Sequence, residues 1–293
     1  MHIPAEMLSG SICPVSTALS AVGVAGAAVA LFRHRPEGLS PARFALTSAA
    51  VFGLQMLNYP VWNGISGHLI GGALAATLLG VPAGVLSVAL VLAVQALLFA
   101  DGGLAMLGAN VLNMALLGAG AAGLLNKVLE NRLPSTALRQ GFTAACSVLL
   151  AVGALCVELA CSGILTASVA GTLLGVHAAL ALVEGVATAL LAWALTSEGK
   201  ETATTVQGSS RVVALILACL ALSPFASASP DAFEWTMGRF DLLPAAPNFA
   251  LAPFADYVAF GSGLAASALG LAAVAALGFA LALPLSARAR VAR

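Results

Sequence analysis

The sequence predicts an all-α polytopic transmembrane bundle, and three observations carry that prediction. Of 293 residues, 60% are hydrophobic and only 8% are charged, where a soluble domain carries about 25% charge. Apolar runs of membrane-spanning length recur along the chain, and the lysines and arginines gather in alternate connections between them. Water cannot solvate a surface so poor in charge, so lipid is the solvent that fits. The formal net charge of zero leaves no electrostatic footprint for nucleic acid. The five cysteines (Cys13, Cys146, Cys156, Cys161, Cys219) form no C-x-x-C pair and sit in apolar runs, as small hydrophobes do.

A span needs about 20 apolar residues. Nine candidates follow, at about 11–32, 42–60, 66–81, 83–100, 104–128, 137–163, 166–195, 211–227 and 260–285. The third and fourth are short and separated only by Gly80 to Pro82, so they are expected to tilt or to break where they line a cavity. Residues 1–10 lack Lys and Arg, and the run that follows is long enough to span, so this N-terminus is expected to stay uncleaved.

Nine spans place 11 of the 12 Lys and Arg on one face, leaving only Arg239 on the other. The positive-inside rule then puts the N-terminus outside the cell membrane and the C-terminus in the cytoplasm. The polar stretch from Thr196 to Thr205 reads as a linker, which divides the chain into a seven-helix part (1–196), a linker (197–210) and a two-helix accessory part (211–293). The last part carries a mildly acidic extracytoplasmic loop over about 228–257, with Asp231, Glu234, Asp241 and Asp256.

Chemistry concentrates at the first two residues. The α-amine of Met1, the amide nitrogen of His2 and the Nδ1 of His2 can close one five-membered and one six-membered chelate ring, placing three nitrogens in one plane. One more imidazole completes a square, a geometry that favours Ni(II) or Cu(II) over zinc and also admits Co(II). His68, in Ser66-Gly67-His68-Leu69-Ile70-Gly71-Gly72, lies near the same face and is the candidate fourth ligand. The plain alternative is an accidental Met-His start and an interfacial histidine bonded to a carbonyl. Asn63, Asp101, Asn110 and Asn113 are candidates to orient the ligands from behind, Asp101 equally as a turn residue capping the next helix. His177 and Glu184, seven apart, share a helix face, and Glu158 is expected within reach of His177. These three serve either as helix-pairing glue or as a relay or second metal stop. No phosphate-binding G-x-x-x-x-G-K-[ST] loop is present, and no nucleophile–base arrangement marks an enzyme.

Several stretches together resemble the CbiM/NikM family, the substrate-capture components of energy-coupling-factor transporters for cobalt and nickel. They are Met1-His2-Ile3-Pro4, Gln55-Met56-Leu57-Asn58, the His68 stretch, Gln95 to Gly103, Gly108 to Met114, and His177 to Gly185. The resemblance implies a seven-helix bundle whose N-terminus plugs inward, with the metal on Met1, His2 and His68. It also implies that uptake is driven by a transmembrane coupling subunit and two ATPases, with no permanently bound cofactor. The tail resembles the small partner component of these systems, fused here. Its signature, Pro-Asp-Gly-Leu-Glu in nickel-type versions, reads Pro230-Asp231-Ala232-Phe233-Glu234. The expected function is the membrane-embedded metal-binding component of an ATP-driven importer of nickel or cobalt. The alternative is a secondary transporter without ATPase partners.

Overall fold

The computed structural model describes residues 2–62, 64–196, 206–244 and 252–291. Helix α1 (Ile12–Arg33) is followed by α2 (Pro41–Met56), which starts cleanly because Ser40 Oγ accepts from Arg43 N at 3.1 Å and Pro41 needs no donor. A hairpin of β1 (Tyr59–Trp62) and β2 (Ile65–Gly67) leads to α3 (Gly72–Leu79) and α4 (Val81–Val94). Helix α4 runs on through a π turn at Gln95–Phe99. Short α5 (Leu107–Asn110) and α6 (Ala122–Leu129) are joined by the π-helical stretch Val111–Ala121. Then come α7 (Thr136–Cys161), α8 (Ala167–Thr196), α9 (Val206–Leu222), α10 (Ala232–Arg239) and α11 (Gly263–Val291).

Among the described residues, six helical segments are long and apolar enough to cross a membrane, and α2 and α9 are shorter, at 16 and 17 residues. Large apolar side chains such as Val22, Leu182 and Trp193 point outward, as a lipid-facing surface requires. Helices α7 and α8 approach closely because Gly141 and Gly185 face each other: a Cβ on Gly141 would stand 2.6 Å from the Gly185 carbonyl oxygen. The two C-terminal helices pack on α2 by the same device. Gly53 meets Cys219 of α9, and Gly270 of α11 meets Phe52 and Phe99.

The third span departs from expectation. In place of a helix over 66–81, β2 is followed by non-helical backbone that ends in a left-handed Gly71, and only the eight residues of α3 are helical. Eight residues rise about 12 Å, yet Gly80 packs against Pro36 in the α1–α2 connection, so this stretch still reaches the far end. Extended chain covers more distance per residue than helix, which is how a short segment makes the crossing. The accessory loop also holds more than expected. Its helix α10 begins with a capping box, in which Glu234 N donates to Asp231 Oδ1 at 2.8 Å and Asp231 N donates to Glu234 Oε2 at 3.2 Å. The expected linker at 197–210 falls mostly outside the described residues.

Candidate metal centre

The first residues fold into the bundle. Ile3 is fully buried, and Asn110 clamps it: Ile3 N donates to Asn110 Oδ1 at 2.8 Å, while Asn110 Nδ2 donates to Ile3 O at 3.3 Å and Gly102 O at 3.1 Å. The Asp101-Gly102-Gly103 turn passes close beneath. Gly102 has φ +82, and a Cβ there would stand 2.5 Å from Asn110 Nδ2 and 3.3 Å from His2 Cβ. Only glycine allows both the backbone angle and the approach.

This clamp sets the His2 ring against His68, with centroids 5.3 Å apart and planes 24° from parallel. His2 Nδ1 lies 3.2 Å from Asp101 Oδ1, and its buried Nε2 has no hydrogen-bond partner. Asp101 Oδ2 accepts from the Tyr257 hydroxyl at 2.7 Å, and Gln95 Nε2 donates to that hydroxyl at 3.3 Å. Burial, reinforced by the Asp101 charge, holds the Tyr257 phenol well above its ordinary range, so it remains a donor. Burial lowers both imidazoles, His68 well below the usual 6.5 and His2 less so because Asp101 opposes the effect. Both therefore favour the neutral form, the one that binds metal.

His68 is placed by non-helical backbone that helix α8 holds in shape. Ile70 N and Gly71 N donate to the Glu184 carboxylate of α8 at 2.8 and 3.0 Å. Gln55 Nε2 of α2 donates to Ile70 O at 2.8 Å. Non-helical backbone in an apolar bundle survives only where such partners replace the missing helix bonds. On the other side, Ser66 N donates to Pro230 O at 2.9 Å and Ser66 Oγ donates to Ser229 O at 2.7 Å, which brings Asp231 into a parallel bridge with Ser66.

The structure places His2, His68, Asp101 and Asn110 close together. Met1 and Asn63 lie outside the described residues. Two expectations are corrected. Asn113 bonds Glu158, with Nδ2 to Oε2 at 2.7 Å, and Glu158 also accepts from Ser16 Oγ at 3.0 Å. Glu158 therefore ties α1, the π stretch and α7 together, and does not pair with His177. The His177 Nδ1 instead bonds Leu173 O within its own helix at 2.8 Å. Glu184 is a backbone anchor. His177, Glu184, His68 and Asp231 nonetheless line one cavity of about 20 Å³, and a larger cavity of about 620 Å³ is lined by His2, His68, Asp101, Asp231, Glu234 and Tyr257. Sequence reasoning missed Gln95, Tyr257 and the anchoring use of Gln55. Only the position of Gln95 six residues before Asp101 hinted at a shared turn.

Among the described residues no three His, Cys, Asp or Glu side chains cluster as a metal site. A planar chelate of backbone nitrogens and two imidazoles leaves no such cluster, because half of its donors are main-chain atoms.

Fold and site together define a multi-pass helical membrane protein with an imidazole pair seated at one end of its bundle. The chain belongs to the CbiM family: residues 2–202 match the family described as "Cobalt uptake substrate-specific transmembrane region". It is 47% identical over 116 residues to a putative fused nickel transport protein NikMN of Archaeoglobus fulgidus, covering 40% of this chain and 38% of that protein. It is 36% identical over 118 residues to the fused nickel transport protein NikMN of Rhodobacter capsulatus, covering 40% and 34%. The putative cobalt transport protein CbiM of Methanocaldococcus jannaschii is 38% identical over 125 residues, covering 42% and 53%. The matched stretches span about a third to a half of these curated relatives. A crystal structure titled as a transition metal transporter superposes with TM-score 0.59 at 31% identity, covering 67% of this chain and 93% of that one. A truncated transition metal transporter superposes with TM-score 0.52 at 28% identity, covering 78% and 100%.

Proposed function

We propose that this protein captures Ni(II) or Co(II) for uptake, on the Met1 amine, the amide and Nδ1 of His2, and the imidazole of His68. The observation that carries the reading is the stacked pair of His2 and His68, drawn from opposite ends of a 66-residue interval onto one cavity. In this structure His2 Nδ1 lies 3.2 Å from Asp101 Oδ1, so capture exchanges the carboxylate for the metal at that nitrogen. The similarity to fused nickel transport proteins supports nickel as cargo, with cobalt close behind. The absent phosphate loop fits hydrolysis of ATP on separate subunits, a coupling protein and two ATPases. The charge pattern supports capture at the extracytoplasmic face. Residues 211–293 act as the fused accessory part.

The test is metal uptake in cells carrying His2→Ala or His68→Ala, beside a variant with one extra N-terminal residue. The extension displaces the amine from the chelate while leaving every side chain in place. All three are expected to lose uptake by at least tenfold. Wild-type uptake in the two histidine variants refutes the capture reading.

A further inference from the structure

We propose that Asp231, supplied by the accessory part, is the carboxylate that balances the charge of the captured metal. The inference rests on the capture reading and names a residue outside the seven-helix part on which capture strength depends.

A divalent ion held by one deprotonated amide and neutral nitrogens keeps a net positive charge. His2 is buried, and an ion held there is stabilised by a nearby anion. Asp101 takes a hydrogen bond from Tyr257 on one oxygen and lines only the larger of the two cavities. Asp231 is brought beside the His68 segment by the tail. The bridge to Ser66 fixes it two residues from the start of the His68 turn, and the Glu234 amide fixes one of its oxygens. It lines both cavities that His68 lines. Asp231 is thus a positioning residue that acts through its charge, and the seven-helix part alone lacks it.

Asparagine caps a helix as well as aspartate does, so Asp231→Asn removes the charge and spares α10. Titrate the purified full-length protein, authentic N-terminus included, with NiCl₂ and follow visible absorption. The expected result is an affinity about 10- to 100-fold weaker, the size of one carboxylate acting over a few ångströms in a medium of intermediate polarity, with the absorption band of bound nickel unmoved. Asp231→Ser, which also caps, gives the same loss. Asp241→Asn removes an exposed carboxylate from the same part, at a left-handed position (φ +54) that asparagine tolerates, and binds as wild type does. Thermal unfolding that matches wild type shows that α10 is intact.

Wild-type affinity in either Asp231 variant overturns the inference. So does an equal loss in Asp241→Asn, which makes the effect general attraction by an acidic loop. A shifted absorption band overturns it in favour of Asp231 as a direct ligand. His68→Ala separates this inference from its premise: if His68→Ala binds normally, the capture reading itself falls. If His68→Ala fails to bind and Asp231→Asn does not weaken, only the charge-balance assignment falls.

Discussion

The two histidines differ in what surrounds them, and the difference sets how capture responds to acid. His2 feels the Asp101 carboxylate, which resists the lowering that burial imposes, while His68 is lowered further. A metal competes with protons for both rings. Because both values lie below 6.5, neither ring carries a proton in most molecules at pH 7, and capture there costs no imidazole deprotonation. As pH falls through the lowered values, each ring takes up a proton and the affinity declines, His2 titrating first. Apparent nickel affinity is therefore expected to fall as pH drops, first because the amine and amide of the chelate must shed protons and then further as His2 and finally His68 titrate. Asp101→Asn, which removes the charge that raises His2, moves the His2 step of that fall to lower pH. Binding isotherms at intervals between pH 5 and 8 measure both effects.

At the scale of single elements, the non-helical stretch after β2 is the least ordinary piece of this bundle. It exists because Glu184 takes two backbone N–H groups that a helix would have used internally. Each such group left buried and unpaired costs about 1–3 kcal/mol. Glu184→Ala is expected to lower stability by about 2–4 kcal/mol in thermal unfolding and to weaken metal binding, since His68 loses its fixed backbone. The sequence allowed much of this site to be read. Chelate geometry names His2 and His68, and the Asp101-Gly102-Gly103 turn names Asp101; the structure sets Gly102 against His2. Hydrophobic periodicity could not reveal the non-helical entry, because Ile70 to Leu79 is apolar in either conformation. Nor could it pair Glu184 with residues more than a hundred positions away, or tell that Glu158 would choose Asn113 and Ser16 over His177. Those choices belong to packing, and spacing within one helix is blind to them. Tyr257 was hidden for the same reason: its partner, Asp101, is 156 residues earlier.

At the scale of the whole molecule, residues before 197 and residues after 211 line one cavity. Cys219 of α9 meets Gly53 of α2 and Gly270 of α11 meets Phe52 of α2, and Ser66, Asp101 and Gln95 each bond residues of the tail. The reading of eleven basic residues on one face predicts a direction. In vesicles containing the full set of subunits, nickel uptake requires metal on the side of His2 and ATP on the side of the C-terminus. Uptake that persists without ATP under a proton gradient refutes the ATPase-driven reading and favours the secondary transporter.

The grip of Glu184 on Ile70 and Gly71 has a mechanical side. His2 is tethered to α5 through Asn110, whereas His68 is tethered to α8. A lean of α8 relative to α5 would pull the two imidazoles apart without unfolding either. If the two imidazoles hold one ion as proposed, its donors are mounted on two separate helices, and a change in their relative position would loosen it.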